Sequence, residues 1–311
     1  MLNNQYKKIL VVKHGSLGDI AFSLLAMGSI KKQYINAKID LITEKKYSKF
    51  LNKSGLFNSI LEDNRSGFLD SLKIILKIKN KKYDLIIDLQ NSNRTNNYWL
   101  LLKLISKVKI NGSRSNCDIK YIIPSQGTES PQKGLYNQLK LIGINNIVDN
   151  IEWLYTDTSE IKGSNIILII PSVSKSGKDK QWPSDKFAKL ANYFEKLNYT
   201  ICVVGQNSDS AITSTINNIC EKVIDLTGKS PPEIIYSIAK KSNLIISNDT
   251  GPGHIAALSH SPILFLGKDD VISKSNLSEY KNGYKILTDS MNNLSVERVL
   301  GFIKEKKLIN E

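Results

Sequence analysis

The sequence has few cysteines, few histidines and no long hydrophobic run, and each shortage argues against a class of protein. Its three cysteines, Cys117, Cys202 and Cys220, show neither a metal-binding spacing nor an even disulfide framework, which indicates a reduced, cytoplasmic environment. No His, Cys and Asp cluster has metal-ligand spacing, so we expect neither a metal nor another cofactor. No apolar run approaches the ~18 residues that span a bilayer. The polar first eight residues also lack the apolar core of a signal peptide.

The charge of the chain is unevenly distributed along its 311 residues. Residues 1–157 contain 24 Lys and Arg against 13 Asp and Glu, whereas residues 158–311 contain 19 and 16, so the first half carries most of the net charge of +14. A basic half indicates an anionic partner: a phosphorylated substrate, a membrane surface or nucleic acid. A coding bias toward Lys, Asn and Ile is the alternative, although it explains the asymmetry less easily.

Short apolar segments rich in β-branched residues alternate with helical segments in both halves of the chain. Predicted strands cover residues 8–12, 39–43, 83–89, 108–112, 165–170, 201–204, 223–228, 244–247 and 262–267. Such alternation is typical of parallel sheets covered by helices. We therefore predict an α/β protein with two doubly wound, Rossmann-like domains, 1–157 and 158–311, that face a central ligand cleft.

The most informative segment is the turn at 247–257, with the sequence Ser-Asn-Asp-Thr-Gly-Pro-Gly-His-Ile-Ala-Ala. It joins a predicted strand to a predicted helix, so free backbone N–H groups would lie at the sheet edge and could bind a diphosphate. Asp249 or Thr250 can cap the helix, and Gly251 and Gly253 leave room for a ligand. His254 follows one turn later. An ordinary capped turn is the competing interpretation.

Two loops of the first half carry polar residues at the same predicted sheet edge. The loop from Lys13 to Asp19 is neither a Walker loop nor a G-x-G-x-x-G motif. Asp19 is either a helix cap or a functional carboxylate at the ligand-binding edge. After the third strand, Arg94 could hold a phosphate or carboxylate bidentately. The basic surface between residues 73 and 109 is a candidate membrane face or a solvated helix face. His14 and His260 are interpreted as structural.

Four segments together resemble glycosyltransferase family 9, the heptosyltransferase type. They are the Gly15-Ser-Leu-Gly-Asp19 loop, Asp88-Leu-Gln90 with Arg94-Thr95, the Lys-x-Trp-Pro element at 180–183, and the Asp-Thr-Gly-x-x-His element at 249–254. Their order and separations fit across nearly the whole chain. The resemblance implies a GT-B fold with an acceptor-binding first domain and a nucleotide-sugar-binding second domain. It also implies heptose transfer, usually from ADP-heptose, to a lipopolysaccharide core acceptor.

The resemblance also assigns roles to individual residues. Asp19 would be the catalytic base, and Lys180 would contact the diphosphate. The remaining expected donor ligands are Ser174, Ser176, Asp249, Thr250, Gly251 and His254. Expected nucleotide contacts are Gly205 and Asp209, and expected acceptor contacts are Lys13, Gly18, Gln90 and Arg94. The loop at 172–177 departs from the Thr- or Gly-rich loop of many members, which leaves the phosphate ligands open. Trp182 is interpreted as a packing residue.

The chemistry of glycosyl transfer agrees with these assignments. Charge builds on the departing diphosphate, and Lys180, hydroxyls and backbone N–H groups would stabilise it without a metal. One base opposite the leaving group predicts inversion at the anomeric carbon. We expect a cytoplasmic enzyme that meets an anionic lipid acceptor peripherally at the inner membrane. The alternatives are another nucleotide sugar, a protein acceptor, an epimerase, an inactive scaffold or a basic nucleic-acid-binding protein, although no nucleic-acid-binding motif is present.

Overall fold

A computed structural model describes residues 6–125, 127–149, 151–277 and 280–309, apart from the side chains of Lys175 and Ser176. The chain divides into two units, Met1–Trp153 and Leu154–Glu311. The predicted boundary at 157/158 lies four residues after this division. Each unit is an α/β structure built on a six-stranded parallel sheet. The predicted fold class is confirmed at this level.

The first unit has the strand order β3-β2-β1-β4-β5-β6, with every neighbouring pair parallel. Its strands are β1 (Lys8–Val12), β2 (Lys38–Thr43), β3 (Ser59–Glu62), β4 (Leu85–Asp88), β5 (Lys109–Gly112) and β6 (Ile119–Lys120). The helices between and after them are α1 (Leu17–Gln33), α2 (Lys45–Asn52), α3 (Phe68–Lys81), α4 (Asn93–Lys103) and α5 (Pro131–Lys140).

The second unit repeats this topology, with the order β12-β11-β10-β7-β8-β9 and parallel pairing throughout. Its strands are β7 (Ile166–Ile170), β8 (Thr200–Gly205), β9 (Val223–Thr227), β10 (Ser242–Asn248), β11 (Ile263–Lys268) and β12 (Gly283–Thr288). Its helices are α6 (Ser184–Lys196), α7 (Ser210–Asn217), α8 (Pro232–Lys241), α9 (Gly251–Ala257), α10 (Val271–Asn276) and α11 (Val296–Glu305).

Apolar strands explain both hydrophobic cores. In the first unit, Leu10, Val12 and Ile86 pack against α3 and α4, including the fully buried Trp99. In the second unit, strand residues such as Ile167 pack against α6, where Phe187 is buried. Because the central strands are buried on both faces, they are nearly continuous runs of Ile, Leu and Val.

The structure corrects the sequence-based elements mainly at the sheet edges. Strands β3 and β6 were not predicted. Residues 262–267 were expected to form the last strand, but β12 follows. These strands are short or contain polar residues, since a strand at the edge of a sheet is less buried than a central one. They therefore lack the continuous apolar run by which the central strands were predicted. The expected loop at 172–183 contains a 3₁₀ helix, Lys175–Lys180.

In each sheet the first and fourth strands of the unit lie side by side: β1 beside β4, and β7 beside β10. The chain leaves these two strands in opposite directions along the sheet. Loops at the carboxyl ends of such a strand pair form the usual ligand-binding edge of an open parallel sheet. Among the described residues, no helix has both the length and the apolar character needed to cross a membrane.

Candidate active site

The turn after β10 holds a buried carboxylate that contacts three cationic or polar side chains. Asp249 Oδ2 lies 3.1 Å from Lys180 Nζ, and Asp249 Oδ1 lies 3.2 Å from His254 Nε2. The Ser273 hydroxyl is 3.4 Å from Oδ2. Lys180 comes from the loop after β7 and Ser273 from α10. The fold therefore brings together four residues that the sequence separates by up to 93 positions.

The surroundings of Asp249 keep its side chain ionised. Burial opposes ionisation, but the hydrogen bond and charge interaction with His254, together with Lys180, lower the pKa of Asp249 to about 2. The Tyr280 hydroxyl lies 2.8 Å from His254 Nδ1. The two ring nitrogens of His254 therefore face different partners, Nε2 the Asp249 carboxylate and Nδ1 the Tyr280 hydroxyl. His254 is buried and contacts Asp249 directly, and its own contact with a donor stays a prediction.

A second set of hydrogen bonds fixes the loop that carries Lys180. The Trp182 backbone N–H donates to Asn248 Oδ1 at 3.2 Å, and Asn248 Nδ2 donates to the Pro171 carbonyl at 2.8 Å. The Trp182 indole is fully buried and donates to the Leu294 carbonyl at 2.9 Å. The Lys-x-Trp-Pro element is thus hydrogen-bonded directly to the last residue of β10. The interpretation of Trp182 as a packing residue is confirmed.

Helix α9 begins at Gly251, with Thr250 as its N-cap. The Thr250 side chain makes no capping hydrogen bond, so the expected side-chain cap is absent from this turn. Gly253 does not open a ligand space as expected, because an added Cβ there would lie 2.3 Å from Ser247 Oγ and 2.9 Å from Phe265. Its missing side chain instead allows α9 to pack closely on β10 and β11.

The other expected donor contacts lie at the same edge of the second sheet. Ser174 is exposed and precedes the 3₁₀ helix, whereas the Ser176 side chain lies outside what the structure describes. Gly205 ends β8, and an added Cβ would lie 2.9 Å from Asp209 Oδ2. That carboxylate oxygen already accepts from Ser172 Oγ and the Gln206 N–H, each at 2.7 Å. Asp209 therefore fixes this loop, and its contact with a nucleotide stays a prediction.

In the first unit, Asp19 closes a capping box at the start of α1. Its Oδ2 accepts from the Ser16 N–H and hydroxyl, each at 2.7 Å, and its own N–H donates to Ser16 Oγ at 3.2 Å. Its Oδ1 has no partner among the described residues, and the side chain is only half-buried. Gly15 has φ of +112°, and a Cβ there would meet Asp19 Oδ2 at 2.5 Å. The loop thus fixes Asp19 Oδ2 by hydrogen bonds and leaves Oδ1 available to accept a proton.

The expected acceptor contacts surround this loop without forming one open surface. Lys13 is buried and donates to the Leu89 carbonyl at 3.1 Å. Its burial lowers the pKa of the ammonium group, although the negative charges of Asp19 and Asp88 act in the other direction. Gln90 Oε1 accepts from the His14 N–H at 3.0 Å. Gly18 is buried within α1. These residues shape the loop, and direct contact with an acceptor stays a prediction.

Arg94 belongs to a network that the sequence did not reveal. Its Nε donates to the Tyr98 hydroxyl, which donates to Asp63 Oδ2 at 2.8 Å. His14 Nε2 lies 3.3 Å from the same Asp63 oxygen, so His14 belongs to this buried polar network. Burial opposes ionisation of Asp63, but His14, Tyr98 and the Arg65 N–H lower its pKa to about 2. Asp63 directly follows β3, so only a prediction of that strand would have placed Asp63 at the same sheet edge as His14 and Arg94.

Comparison with known proteins gives this geometry its context. A family model described as glycosyltransferase family 9 (heptosyltransferase) matches residues 145–266, which include Lys180 and the whole 249–254 element. The lipopolysaccharide core heptosyltransferase OpsX of Haemophilus influenzae is 21% identical over 84% of this chain and 78% of its own length. The chain is therefore similar to the glycosyltransferases of family 9. The recognition made from the four sequence segments is confirmed.

Solved structures show the same fold along nearly the whole chain. A family 9 glycosyltransferase from Veillonella parvula aligns over 97% of both chains with a TM-score of 0.78 and 19% identity. The Escherichia coli heptosyltransferase WaaC with ADP-2-deoxy-2-fluoro heptose aligns over 96% of this chain and 99% of its own, with a TM-score of 0.75 and 14% identity. The predicted GT-B class of two Rossmann-like units is therefore confirmed as a fold. Among the described residues, no group of three or more His, Cys, Asp and Glu could hold a metal ion.

Proposed function

We propose that this protein is a family 9 glycosyltransferase that transfers a heptose from ADP-heptose to a lipopolysaccharide core acceptor. One structural observation carries the proposal: Lys180 is held 3.1 Å from a buried, ionised Asp249 at the ligand-binding edge of the second sheet. A lysine held in this way is positioned to neutralise a diphosphate, whose charge grows as the sugar leaves. The similarity to OpsX, a lipopolysaccharide core heptosyltransferase, supports heptose as the sugar and lipopolysaccharide as the acceptor. The similarity to WaaC, solved with an ADP-heptose analogue, supports ADP-heptose as the donor.

In this proposal the second unit binds the donor. Lys180 contacts the diphosphate, and Asp249, Thr250 and Gly251 hold the sugar and phosphates, with hydroxyl contributions from Ser174 and Ser176. His254 keeps the Asp249 carboxylate in place. The expected contacts of Gly205 and Asp209 with the nucleotide belong to the same edge. Because these groups supply fixed positive charge and donors, the proposal requires no metal for departure of the leaving group.

The first unit supplies the base in this proposal. Asp19 Oδ1 takes the proton of the acceptor hydroxyl while the sugar–phosphate bond breaks, which adds roughly 10²–10⁴-fold to the rate. Attack opposite the leaving group inverts the anomeric configuration. Lys13, Gly18, Gln90 and Arg94 shape the acceptor side. The excess of 11 positive charges in residues 1–157 suits a phosphorylated lipid acceptor presented at the cytoplasmic face of the inner membrane.

Calorimetric binding of ADP, ADP-heptose, UDP-glucose and GDP-mannose tests the donor side. We expect selective binding of the adenine nucleotides and at least tenfold weaker binding by Lys180→Ala. Lys178→Ala is the matched control, because Lys178 is exposed on the same 3₁₀ helix and should leave affinity unchanged. Tight binding of a uridine or guanosine sugar would exclude ADP-heptose as donor. Failure to bind any nucleotide sugar would contradict the proposed function.

Two product measurements test the chemistry. Transfer after exhaustive dialysis against EDTA should proceed at the original rate, and loss of activity restored by a divalent cation would contradict metal independence. The anomeric coupling of the transferred heptose, measured by NMR against the donor, should show inversion. Retention of configuration would contradict attack by an acceptor hydroxyl that Asp19 activates in a single step.

A further inference from the structure

Helices α3 and α4 of the first unit present an unusual outer surface. Their inner sides pack on the sheet through residues such as Ile75 and Trp99. Their outer sides and the turn after α4 expose large apolar side chains, which we call the α3/α4 face. Its members, with exposed fractions from 43% to 77%, are Phe68, Leu69, Leu76, Leu100, Leu104 and Ile105. Clustered exposed apolar residues of this kind mark an interaction surface more often than scattered single ones do.

Helical spacing and a groove make these residues one surface. Leu69 and Leu76 are seven residues apart on α3, and Leu100 and Leu104 are four apart, so each pair lies along one side of its helix. Between the helices, a groove of about 650 Å³ is lined by Phe68, Leu100 and neighbouring residues. The same groove is lined by Arg94 and Tyr98. The groove is therefore lined both by exposed apolar side chains of this surface and by two members of the Arg94–Tyr98–Asp63 network.

Positive charge is interleaved with the α3/α4 face. Lys73 lies between Leu69 and Leu76 on the exposed side of α3, and Lys77 follows it one turn later. In the described part of the chain neither lysine pairs with a carboxylate. The only carboxylate of α3, Asp70, lies at its start and accepts from Ser66. Lysines that flank apolar side chains can extend to phosphate groups while their alkyl stems cover apolar surface.

We propose that the α3/α4 face docks this unit on an anionic phospholipid bilayer. The leucines and Phe68 would enter the boundary between headgroups and acyl chains, and Lys73 and Lys77 would contact headgroup phosphates. Charge complementarity selects a bilayer over a neutral apolar partner. The inference deepens the proposed function, on which it rests for a membrane-presented acceptor. Its test uses no sugar transfer, so the two can fail separately.

Sedimentation of the full chain with vesicles of phosphatidylcholine containing 30% phosphatidylglycerol tests the docking. We expect binding to these vesicles and little binding to pure phosphatidylcholine. Lys73→Gln with Lys77→Gln should weaken the partition coefficient by about 30-fold, from the usual contribution of a lysine at an anionic surface. Leu69→Asn with Leu104→Asn should weaken it at least tenfold. Both variants should keep the wild-type circular dichroism spectrum and urea-unfolding midpoint, which shows that they fold.

Matched substitutions on the other side of the unit are the controls. Helices α1 and α5 contact each other, and right-handed crossovers place α1 on the opposite sheet face from α3 and α4. Two double variants change exposed residues on this opposite side: Ile35→Asn with Leu141→Asn, and Lys32→Gln with Lys38→Gln. Both should leave vesicle binding unchanged. Equal losses in test and control variants would overturn the proposal. So would salt-insensitive binding, or a mass measurement in which Leu69→Asn with Leu104→Asn converts a dimer into a monomer without altering vesicle binding.

Discussion

The two units share one strand order but treat their principal carboxylates in opposite ways. Asp19 follows the first strand of its unit, is half-buried, and uses only one oxygen in a local capping box. Asp249 follows the fourth strand of its unit, is buried, and both oxygens contact other side chains. A base must expose a lone pair to its substrate, whereas a carboxylate that positions a lysine must be fixed. Local surroundings, more than fold, therefore separate the two predicted roles.

Replacing Asp19 should have the largest effect on the reaction. An asparagine at this position keeps a side-chain oxygen that can accept from the Ser16 N–H but cannot take up a proton at neutral pH. We expect Asp19→Asn to lower kcat by about 10²–10⁴-fold, with a change in unfolding free energy below about 1 kcal/mol. Steady-state kinetics and urea unfolding measure the two quantities.

Ser16→Ala is the control for that substitution. It removes the cap, which costs about 1 kcal/mol of stability, while the carboxylate remains. If Asp19→Asn lost only stability and kept its kcat within threefold, Asp19 would be a helix cap alone. The contrast between the two carboxylates would then have no catalytic meaning.

Replacing Asp249 should affect stability more than replacing Asp19 does. Asp249→Asn leaves Lys180 without its ionic partner and replaces the carboxylate that contacts Lys180 and His254 with a neutral amide. We expect a loss of roughly 2 kcal/mol in the unfolding free energy, because hydrogen bonds to charged groups contribute that much. Urea unfolding measures it. Asp179→Asn, which alters the exposed Lys268–Asp179 pair, should cause no measurable change, and an equal loss would show that burial of the pair is unimportant.

The central strands and the main site segments were predictable from sequence because both depend on local pattern. Buried parallel strands are continuous apolar runs, and the 249–254 element is contiguous. The residues that were missed follow from the edge strands that were missed. Asp63 comes directly after β3, and Tyr280 shortly before β12, so their contacts with His14 and His254 depend on strands whose polar sequences gave no clear signal. Long-range contacts of this kind require the register of the sheet.

Acid should weaken both units through their buried carboxylates. The pKa values of Asp63 and Asp249 are each lowered from the ordinary value of 3.8 to about 2. A carboxylate with a lowered pKa in the folded state stabilises it above about pH 4, and this contribution is lost as the pH falls from about 4 to about 2. Each group should contribute roughly 2 kcal/mol at neutral pH.

Urea unfolding of wild type, Asp63→Asn and Asp249→Asn between pH 6 and pH 2.5 measures this dependence. The difference between wild type and each variant should be largest at pH 6 and should shrink steadily below pH 4. A difference that stayed constant across this range would mean that these carboxylates do not titrate with lowered pKa values, and that their variants act through packing alone.

The smallest expected effect tests whether Asp249 is positioned through its neighbours. Tyr280→Phe removes the hydroxyl 2.8 Å from His254 Nδ1 but keeps the ring stacked on the imidazole. Loss of one neutral hydrogen bond costs about 0.5–1.5 kcal/mol, so the KM for the donor should rise by roughly two- to tenfold while kcat is unchanged. Tyr284→Phe on β12 is the matched control and should leave both constants alone. A fall in kcat with constant KM would instead connect Tyr280 to the chemical step, and the division between a fixed carboxylate in one unit and a reactive one in the other would have to be abandoned.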